Sequence, residues 1–473
     1  MSEQWMPPGR PVADDSPSAR ALATEVATGH RSAHEVVTDS LTRIAVMEPQ
    51  VHALLHVDST AAVRTARSRD RARVSGRLPG PLAGVPVVVK DNIAVRGMPM
   101  TCGSRALDGH HPARDAVLVR RLRSAGAIVL GKSNLDEFAM GASTQTSAFG
   151  PTRNPHDLTR TPGGSSGGST AAVAAGEVPL AVGTDTGGSV REPAAQCGVV
   201  GVKPSWGSVP TSGVVPFAPS LDQPGPVAAT VLDTALLHQV MAGPSADFVA
   251  AAADGSRRVD LRGQRVGVVA EMTGPRNQSG VLSRFDDAVG LLLRLGAEVV
   301  EVAVPSTADA LGAYYVVSSY EALATLTTYA RDGLLGEEAM QRLEQGTAIA
   351  ADPDERRLAW AWGVVARLRA EIATALGQCT LLASPTLPVT APRLGNHLDD
   401  PLAVPRTDCW TVLANLTGIP ALSLPYGVSP DDGLPVGIQL MSGHDDDARL
   451  YRVAASVEAA ATRDIRAFTR GLR

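Results

Sequence analysis

Segments with the pattern of strands alternate with segments with the pattern of helices along most of this chain, and this alternation restricts its fold more than any other feature. The apolar run GVPVVVK, which ends at Lys90, predicts a buried strand; residues 115–125 predict a helix closed by Gly126, and AIVLG follows as another strand. The rhythm returns in RVGVVA, FDDAVGLLLRLG and AEVVEVAV, and again in ALSLPYG, VGIQLMSG and a helix from about Asp447 to Ala460. Such alternation is typical of an α/β fold, in which helices sandwich a sheet. A length of 473 residues allows one large domain or two to three smaller ones.

Several short patterns make local predictions. SAHE, which begins at Ser32, is a capping-box pattern and predicts the start of a helix. A helix of small residues is predicted to begin at Thr170, and the Ala-rich stretch 245–253 to form a surface turn. His52 and His56 have helical spacing without the carboxylate of an HExxH zinc motif, so they are interpreted as a solvated helix face.

Composition excludes several classes of protein. No apolar run reaches the roughly 18 residues that span a membrane, and the start MSEQWMPPGRPVADD lacks the features of an export signal, so a cytoplasmic location is expected. A net charge of −5 and a pI near 6.1 argue against direct nucleic-acid binding. The four cysteines are far apart and form no CxxC pair, which favours reduced thiols and no metal site: Cys102, Cys197, Cys379 and Cys409.

Lysine is scarce in this chain. Of 43 basic residues, 40 are arginine, and the three lysines are Lys90, Lys132 and Lys203. A buried ammonium group can lose its proton, whereas a guanidinium group effectively cannot. Lysine is therefore expected where a neutral amine is needed, and Lys90 is the best candidate because it ends an apolar run and is followed by the polar residues DN.

Two neighbouring loops are rich in glycine and hydroxyl groups: TPGGSSGGST at 161–170 and GTDTGGSVREPA at 183–194. They could cradle a phosphate or form an acyl-transfer site. No lysine follows either loop, as a GxxxxGK[ST] phosphate loop requires, and GGSSGG does not supply the GxGxxG fingerprint, so the phosphate interpretation fails. Ser189 lies in TGGSV and therefore not in a GxSxG elbow. No motif places a histidine beside the serines, and a serine nucleophile would then need lysine as its base, a known variant of triad chemistry.

The residues of this region resemble the amidase signature family. The resemblance is dense over about residues 82–230 and rests on PVVVKDNI, GKSNLDEFAMGAST, NPHDLTRTPGGSSGGSTAAVAAG, GTDTGGSVREPA and GVVGVKPSWG. It implies a catalytic triad of Lys90, a cis Ser165 and the nucleophile Ser189, at spacings of 75 and 24 residues that are similar to those of the family. It also implies a single large α/β domain over 1–473, with a central mixed sheet covered by helices on both faces. The predicted parts are an N-terminal helical segment at 1–75, the signature core at 82–230, and a C-terminal part at 231–473 that shapes the substrate pocket.

Further roles follow for residues around the triad. Ser166 is expected to orient hydrogen bonds in its loop, Asp185 and Arg191 to pair and fix the second loop, and Lys132 and Lys203 to be structural. No cofactor is implied. Glycines leave bare the backbone N–H groups predicted to form the oxyanion hole, which are those of Thr186, Gly187, Gly188 and Ser189.

Within the family, NLDEFAMGAST, SLDQPGP and TVLANLTGIP are most similar to the A subunit of the glutamine-dependent tRNA amidotransferase. That similarity implies a glutamine-holding arginine at Arg342 and aspartate at Asp408, with an aromatic residue at Tyr314 or Tyr315. Arg342 could instead be a surface charge and Asp408 a helix N-cap.

Two departures from the amidotransferase pattern favour a different substrate. WGSVPTSG replaces the usual Tyr-Gly-Arg-Val-Ser-Arg-Tyr-Gly sequence, and a segment of about twenty residues is missing after SSYEALATL. The main interpretation is therefore a stand-alone amidase that acts on a small-molecule amide, and the amidotransferase subunit is the alternative. A non-catalytic scaffold is disfavoured because all three triad residues are present. The expected assembly is a homodimer or a complex with amidotransferase partner subunits, with no membrane partner.

Overall fold

Eleven strands form one sheet in the part of the chain that the structure describes. The structure is a computed structural model, and it describes residues 18–77, 80–243, 246–329, 333–395 and 409–471. In chain order the strands are β1 Leu54–Val57, β2 Pro86–Lys90, β3 Ile128–Ser133, β4 Leu180–Asp185, β5 Val200–Lys203, β6 Gln223–Ala228, β7 Arg265–Val269, β8 Glu298–Val302, β9 Leu381–Pro385, β10 Ala421–Val428 and β11 Pro435–Met441.

Helices occupy most of the remaining described sequence. They are α1 Ala19–Thr28, α2 Ala33–Val51, α3 Ser59–Val74, α4 Val117–Ser124, α5 Gly167–Ala174, α6 Arg191–Cys197, α7 Val231–Ala242, α8 Phe248–Arg258, α9 Ser279–Arg294, α10 Thr307–Tyr329, α11 Glu337–Ala350, α12 Arg356–Gln378, α13 Val412–Thr417 and α14 Asp447–Gly471. No helix in the described ranges is long and apolar enough to cross a membrane.

The sheet is mixed, with spatial order β1-β3-β2-β4-β6-β5-β10-β11-β9-β7-β8. Two parallel blocks, β3-β2-β4 and β9-β7-β8, are joined by antiparallel strands. Successive residues of a strand point to opposite faces. Accordingly Leu381 and Ala383 belong to an apolar cluster that includes residues of α8, α9 and α14, whereas Leu382 belongs to the cluster that includes residues of α10 and α12. Both faces are therefore covered, which confirms the predicted α/β fold.

Most predicted elements are present, including the capping box in which Ser32 Oγ accepts from the Glu35 backbone N–H. The helix predicted at 115–125 begins at Val117, and the last helix continues past Ala460. The small-residue helix begins at Gly167 rather than Thr170. A Cβ atom on Gly167 would lie 2.2 Å from Thr144 Oγ1. Glycine is therefore needed here for close packing against Thr144, and it is the first residue of the helix rather than part of the loop.

Two local predictions were wrong. The Ala-rich stretch lies largely in α8, where Ala251 and Ala252 are buried. The prediction of a turn failed because alanine is the best helix former. His52 and His56 do not share a helix face, because α2 ends at Val51 and His56 lies in β1. His52 instead occupies the left-handed position that ends α2, with φ 55°.

The topology brings the predicted catalytic loops together. Strands β2 and β4 are parallel neighbours, so their C-terminal residues, Lys90 and Asp185, lie at the same edge of the sheet. The loop 161–166 precedes α5 and the loop 186–190 precedes α6. A hydrogen bond of 3.1 Å from the Ser166 backbone N–H to the Ser189 carbonyl oxygen joins the two loops.

Candidate active site

Lys90 is completely buried and contacts both serines of the first loop. Its Nζ lies 2.7 Å from Ser165 Oγ and 2.8 Å from Ser166 Oγ. Burial lowers the pKa of Lys90 from 10.5 to about 7, although the negative charges of Asp136 and Asp185 raise it. The amine is thus partly neutral near pH 7, and a neutral amine can accept a proton from a hydroxyl group that it contacts.

Ser166 fixes the position of the lysine relative to β4. Its Oγ accepts from Lys90 Nζ, donates to the Thr184 carbonyl oxygen at 3.1 Å, and lies 3.3 Å from the Thr184 backbone N–H. Thr184 is the residue before the end of β4. This serine therefore ties the first loop to the strand that leads into the second loop.

The peptide bond between Gly164 and Ser165 is cis. A Cβ atom on Gly164 would lie 2.1 Å from Asp136 Oδ2 and 2.4 Å from the Ser143 backbone nitrogen, so only glycine fits there. The Asp136 carboxylate accepts hydrogen bonds from the backbone N–H groups of Ser143 at 3.0 Å and Gln145 at 3.1 Å, and its own N–H donates to the Ser165 carbonyl oxygen at 3.4 Å. Asp136 thus joins residues 143–145 to the loop that carries Ser165, a role that the sequence pattern did not indicate.

The second loop is shaped by a buried ion pair. Arg191 Nη2 lies 2.9 Å from Asp185 Oδ1, and both side chains are fully buried. The same carboxylate accepts hydrogen bonds from the backbone N–H groups of Gly188 at 3.0 Å and Val190 at 3.2 Å. Asp185 and Arg191 therefore form the predicted pair, and the pair holds the turn that carries Ser189.

These contacts reduce the number of backbone N–H groups that can belong to the predicted oxyanion hole. The Gly188 N–H donates to Asp185 Oδ1 and is not directed at a substrate, so its assignment to the hole is corrected. The remaining predicted donors are the backbone N–H groups of Thr186, Gly187 and Ser189. Ser189 itself is 7% exposed, so its side chain lies just below the surface of the site.

Arg191 satisfies all five of its donor groups, which sequence reasoning did not foresee. Besides the carboxylate, it donates to Thr411 O at 2.9 Å, Gln439 Oε1 at 2.6 Å and Asn415 Oδ1 at 2.8 Å. These acceptors are more than 200 positions away along the chain. The sequence carried one signal for them: Gln439 and Asn415 are polar residues inside apolar segments, VGIQLM and VLANLTG.

Three of the predicted substrate-binding residues lie on two neighbouring helices, Tyr314 and Tyr315 on α10 and Arg342 on α11. Arg342 is half-buried; its guanidinium carbon lies 4.5 Å from the ring centre of Tyr315 and 5.8 Å from that of Phe217, and its Nη1 is 3.3 Å from Ser319 Oγ. Arg342 is therefore a cation held among aromatic rings rather than a free surface charge. Tyr314 covers the second loop, since a Cβ atom on Gly187 would lie 2.5 Å from its ring. Asp408 lies outside the described residues.

The other two lysines have separate environments. Lys132 forms a buried ion pair with Asp91 at 2.7 Å. Lys203 donates to the Pro204 carbonyl oxygen at 2.8 Å, and burial lowers its pKa to about 7. Among the described contacts, neither lysine has a hydrogen bond or ion pair to Ser165 or Ser189, and their structural role stays a prediction.

Comparison with known proteins shows similarity to amidases over most of the chain. A family model described as Amidase matches residues 35–451. The A subunit of glutamyl-tRNA(Gln) amidotransferase from Acidothermus cellulolyticus is 46% identical over 478 residues, covering 94% of each chain. The corresponding protein from Thermobifida fusca is 44% identical over 474 residues, covering 94% of this chain and 95% of its own.

Solved structures are similar over the same extent. The A subunit of glutamyl-tRNA(Gln) amidotransferase from Thermotoga maritima is 38% identical, with a TM-score of 0.77, over 90% of this chain and 91% of that one. A peptide amidase from Stenotrophomonas maltophilia is 30% identical, with a TM-score of 0.80, over 96% of this chain and 98% of that one. Because the family model and these relatives span nearly the whole sequence, the chain belongs to the amidase signature family and is an amide-hydrolysing enzyme.

Proposed function

We propose that this chain hydrolyses the side-chain amide of glutamine through an acyl-enzyme on Ser189, as the A subunit of a tRNA-dependent amidotransferase. The observation that carries the proposal is the buried Lys90 amine, 2.7 Å from Ser165 Oγ and beside the loop of Ser189. Relatives that carry the name of this amidotransferase component, at 44–46% identity over 94% of the chain, support this substrate over the stand-alone amidase that the sequence patterns favoured.

In the proposed acylation step, Ser189 Oγ attacks the amide carbon. Its proton passes to Ser165 Oγ, while the proton of Ser165 passes to the neutral Lys90 amine. Lysine suits this position because its pKa is about 7, so it can accept the proton and return it near neutral pH. The new C–O bond forms as the carbonyl oxygen takes up negative charge.

The intermediate then collapses to the acyl-enzyme. Backbone N–H groups of Thr186, Gly187 and Ser189 are the proposed donors to the oxyanion, where one such donor contributes about 3–4 kcal/mol. The C–N bond breaks, and the leaving ammonia receives the proton from Lys90 through Ser165. Water next attacks the ester along the same proton path, and the products are glutamate and free Ser189.

Arg342 supports the choice of glutamine. A guanidinium group held by Tyr315 and Phe217 presents its planar donors in a fixed orientation, which suits a carboxylate. In glutamine, three carbon atoms separate the α-carboxylate from the amide carbon. The proposal is that Arg342 binds this carboxylate while the amide reaches Ser189.

Ammonia release from a panel of amides tests the proposal. The purified chain would be assayed with glutamine, asparagine, succinamate and neutral butyramide, with Ser189→Ala as the inactive control. We expect glutamine to have the highest kcat/KM and the Ser189→Ala chain to release no ammonia. Faster hydrolysis of butyramide than of glutamine would contradict the proposed substrate, although it would leave the catalytic residues in place.

A stand-alone amidase remains a second candidate because two sequence departures favour it. WGSVPTSG differs from the amidotransferase pattern, and α11 begins at Glu337, eight positions after Tyr329 of α10. The two candidates differ in their dependence on partners. Co-expression with the other amidotransferase components should raise glutamine hydrolysis under the main proposal, and should leave turnover of the best amide unchanged under the second.

A further inference from the structure

One segment connects the loop of Ser189, called the nucleophile loop below, with α10 and with α11, which carries Arg342; four of the six residues of the segment are buried. This segment, Phe217–Asp222, is called the strap below. It folds back on itself, because the N–H groups of Leu221 and Asp222 donate to the Ala218 carbonyl oxygen at 2.9 Å and 2.8 Å. The proposed catalytic steps use none of its side chains except the ring of Phe217.

Asp222 joins the strap to the nucleophile loop. Its Oδ1 accepts the hydroxyl group of Thr186 at 2.6 Å. Its Oδ2 accepts the backbone N–H groups of Phe217 at 2.9 Å and Ala218 at 3.2 Å. Thr186 belongs to the loop that ends at Ser189, so a single buried carboxylate binds both structures.

The other end of the strap reaches the substrate-binding helices. The Phe217 ring lies 5.8 Å from the Arg342 guanidinium carbon, on α11. The Ser220 backbone N–H donates to Glu321 Oε2 of α10 at 2.9 Å. A displacement of the strap would therefore move the groups beside Arg342 and the groups beside Ser189 together.

We propose that Asp222 is a positioning residue that keeps the nucleophile loop aligned with the Arg342 site, so that an amide bearing a carboxylate reaches Ser189 in the reactive orientation. The inference rests on the proposed function in one respect, the carboxylate bound by Arg342. It requires that Oδ2 remain an acceptor for the two backbone N–H groups, whereas the Thr186 hydroxyl can either donate to Oδ1 or accept from a donor at that position. Burial raises the pKa of Asp222 to about 6.

Asp222→Ala is the informative variant because alanine removes both carboxylate oxygens. Asparagine would not break these contacts, because its Oδ1 can accept the two backbone N–H groups while its Nδ2 donates to Thr186 Oγ1. The matched control is Asp233→Ala. Asp233 is also buried and accepts two consecutive backbone N–H groups, those of Ala19 at 2.9 Å and Arg20 at 3.0 Å, but it joins α1 to α7.

Two readouts separate the two ends of the strap. The rate at which a small fluorophosphonate labels Ser189 depends on the nucleophile and the oxyanion hole, and the probe carries no carboxylate. The ratio of kcat/KM for glutamine to that for butyramide depends on the carboxylate site. A Thr186→Val chain serves as a third variant, since it breaks only the contact with the nucleophile loop.

For Asp222→Ala we expect labelling to slow by at least about tenfold and the glutamine preference to fall by at least about fivefold. Asp233→Ala should change both by less than about twofold, even if both variants lose thermal stability. Thr186→Val should slow labelling and also lower the preference, because it breaks the contact through which the strap aligns the nucleophile loop. The proposal is overturned if Asp222→Ala matches the control, or if it changes only one readout. A wild-type chain without glutamine preference would instead refute the proposed function.

Discussion

Replacing Arg191 with lysine tests how the second loop is held. The five N–H groups of Arg191 meet five buried acceptor contacts, two of them on Asp185 and one each on Thr411, Gln439 and Asn415. Lysine keeps the positive charge but has three donors on one nitrogen. At least two of the contacts are therefore lost, and the acceptors that made them stay buried.

The size of the effect follows from these lost contacts. Each buried acceptor without a partner costs about 1–3 kcal/mol, so Arg191→Lys should lower the free energy of unfolding by about 2–6 kcal/mol. A chain of 473 residues has an unfolding entropy of about 1 kcal/mol per kelvin, so Tm should fall by about 2–6 °C. Because Asp185 also holds the Gly188 and Val190 N–H groups, misplacement of Ser189 should lower kcat/KM by about 100-fold.

Calorimetry and ammonia release would be measured on Arg191→Lys and on a surface control. In the control, Arg258→Lys, the arginine pairs with Asp254 at 2.8 Å and is 73% exposed, so Tm should change by less than about 1 °C. A Tm of Arg191→Lys within about 1 °C of the wild type, or a kcat/KM within about threefold, would refute the reasoning, because five buried contacts could then not depend on the guanidinium group.

Three further predictions concern charged groups. Lys90→Arg should be as inactive as Lys90→Ala, while wild-type kcat/KM rises with pH through about 7 as the amine becomes neutral; an active Lys90→Arg chain would contradict this. Arg342→Gln should raise KM for glutamine at least about tenfold and leave butyramide hydrolysis unchanged, and an equal loss on both amides would exclude carboxylate binding. Glu48 and Glu177 contact each other, and burial raises the pKa of Glu48 to about 7 and that of Glu177 well above 4.5. The folded chain therefore binds protons there that the unfolded chain releases, and the free energy of unfolding falls as pH rises above 4.5. Glu177→Gln should raise the free energy of unfolding by about 1–2 kcal/mol at pH 8 and by little at pH 4, and an equal gain at both pH values would refute the role of these protons.

The sequence was informative where burial follows a local period. GVPVVVK and AEVVEVAV predicted strands that lie in the sheet. The strand from GVPVVVK is buried along its whole length, whereas β8, from AEVVEVAV, is an edge strand and mostly exposed or half-buried. The sequence also singled out the segments of the proposed triad, because their glycine and serine spacing is unusual, and the structure brings these segments together. The helix start at Gly167 was missed because its glycine fits against Thr144, a contact with a distant loop.

Contacts between distant segments could not be predicted in the same way. Nothing near Arg191 indicates that Thr411, Asn415 and Gln439 surround its guanidinium group. The assignment of the Gly188 N–H to the oxyanion hole failed for a related reason, because a glycine-rich loop exposes several N–H groups and the pattern does not reveal which one a neighbouring carboxylate binds. Local sequence thus indicates which groups are present, whereas tertiary packing decides their partners.

The identity of the nucleophile is tested most directly by mass spectrometry of the covalently labelled enzyme. The wild-type chain, Ser165→Ala and Ser189→Ala would be treated with a fluorophosphonate, and the site of the adduct would be located by peptide mapping. We predict one adduct, on Ser189, in the wild type; formation slower by about 100-fold or more in Ser165→Ala; and neither adduct nor ammonia release in Ser189→Ala. An adduct on another residue, or turnover by Ser189→Ala, would contradict the account.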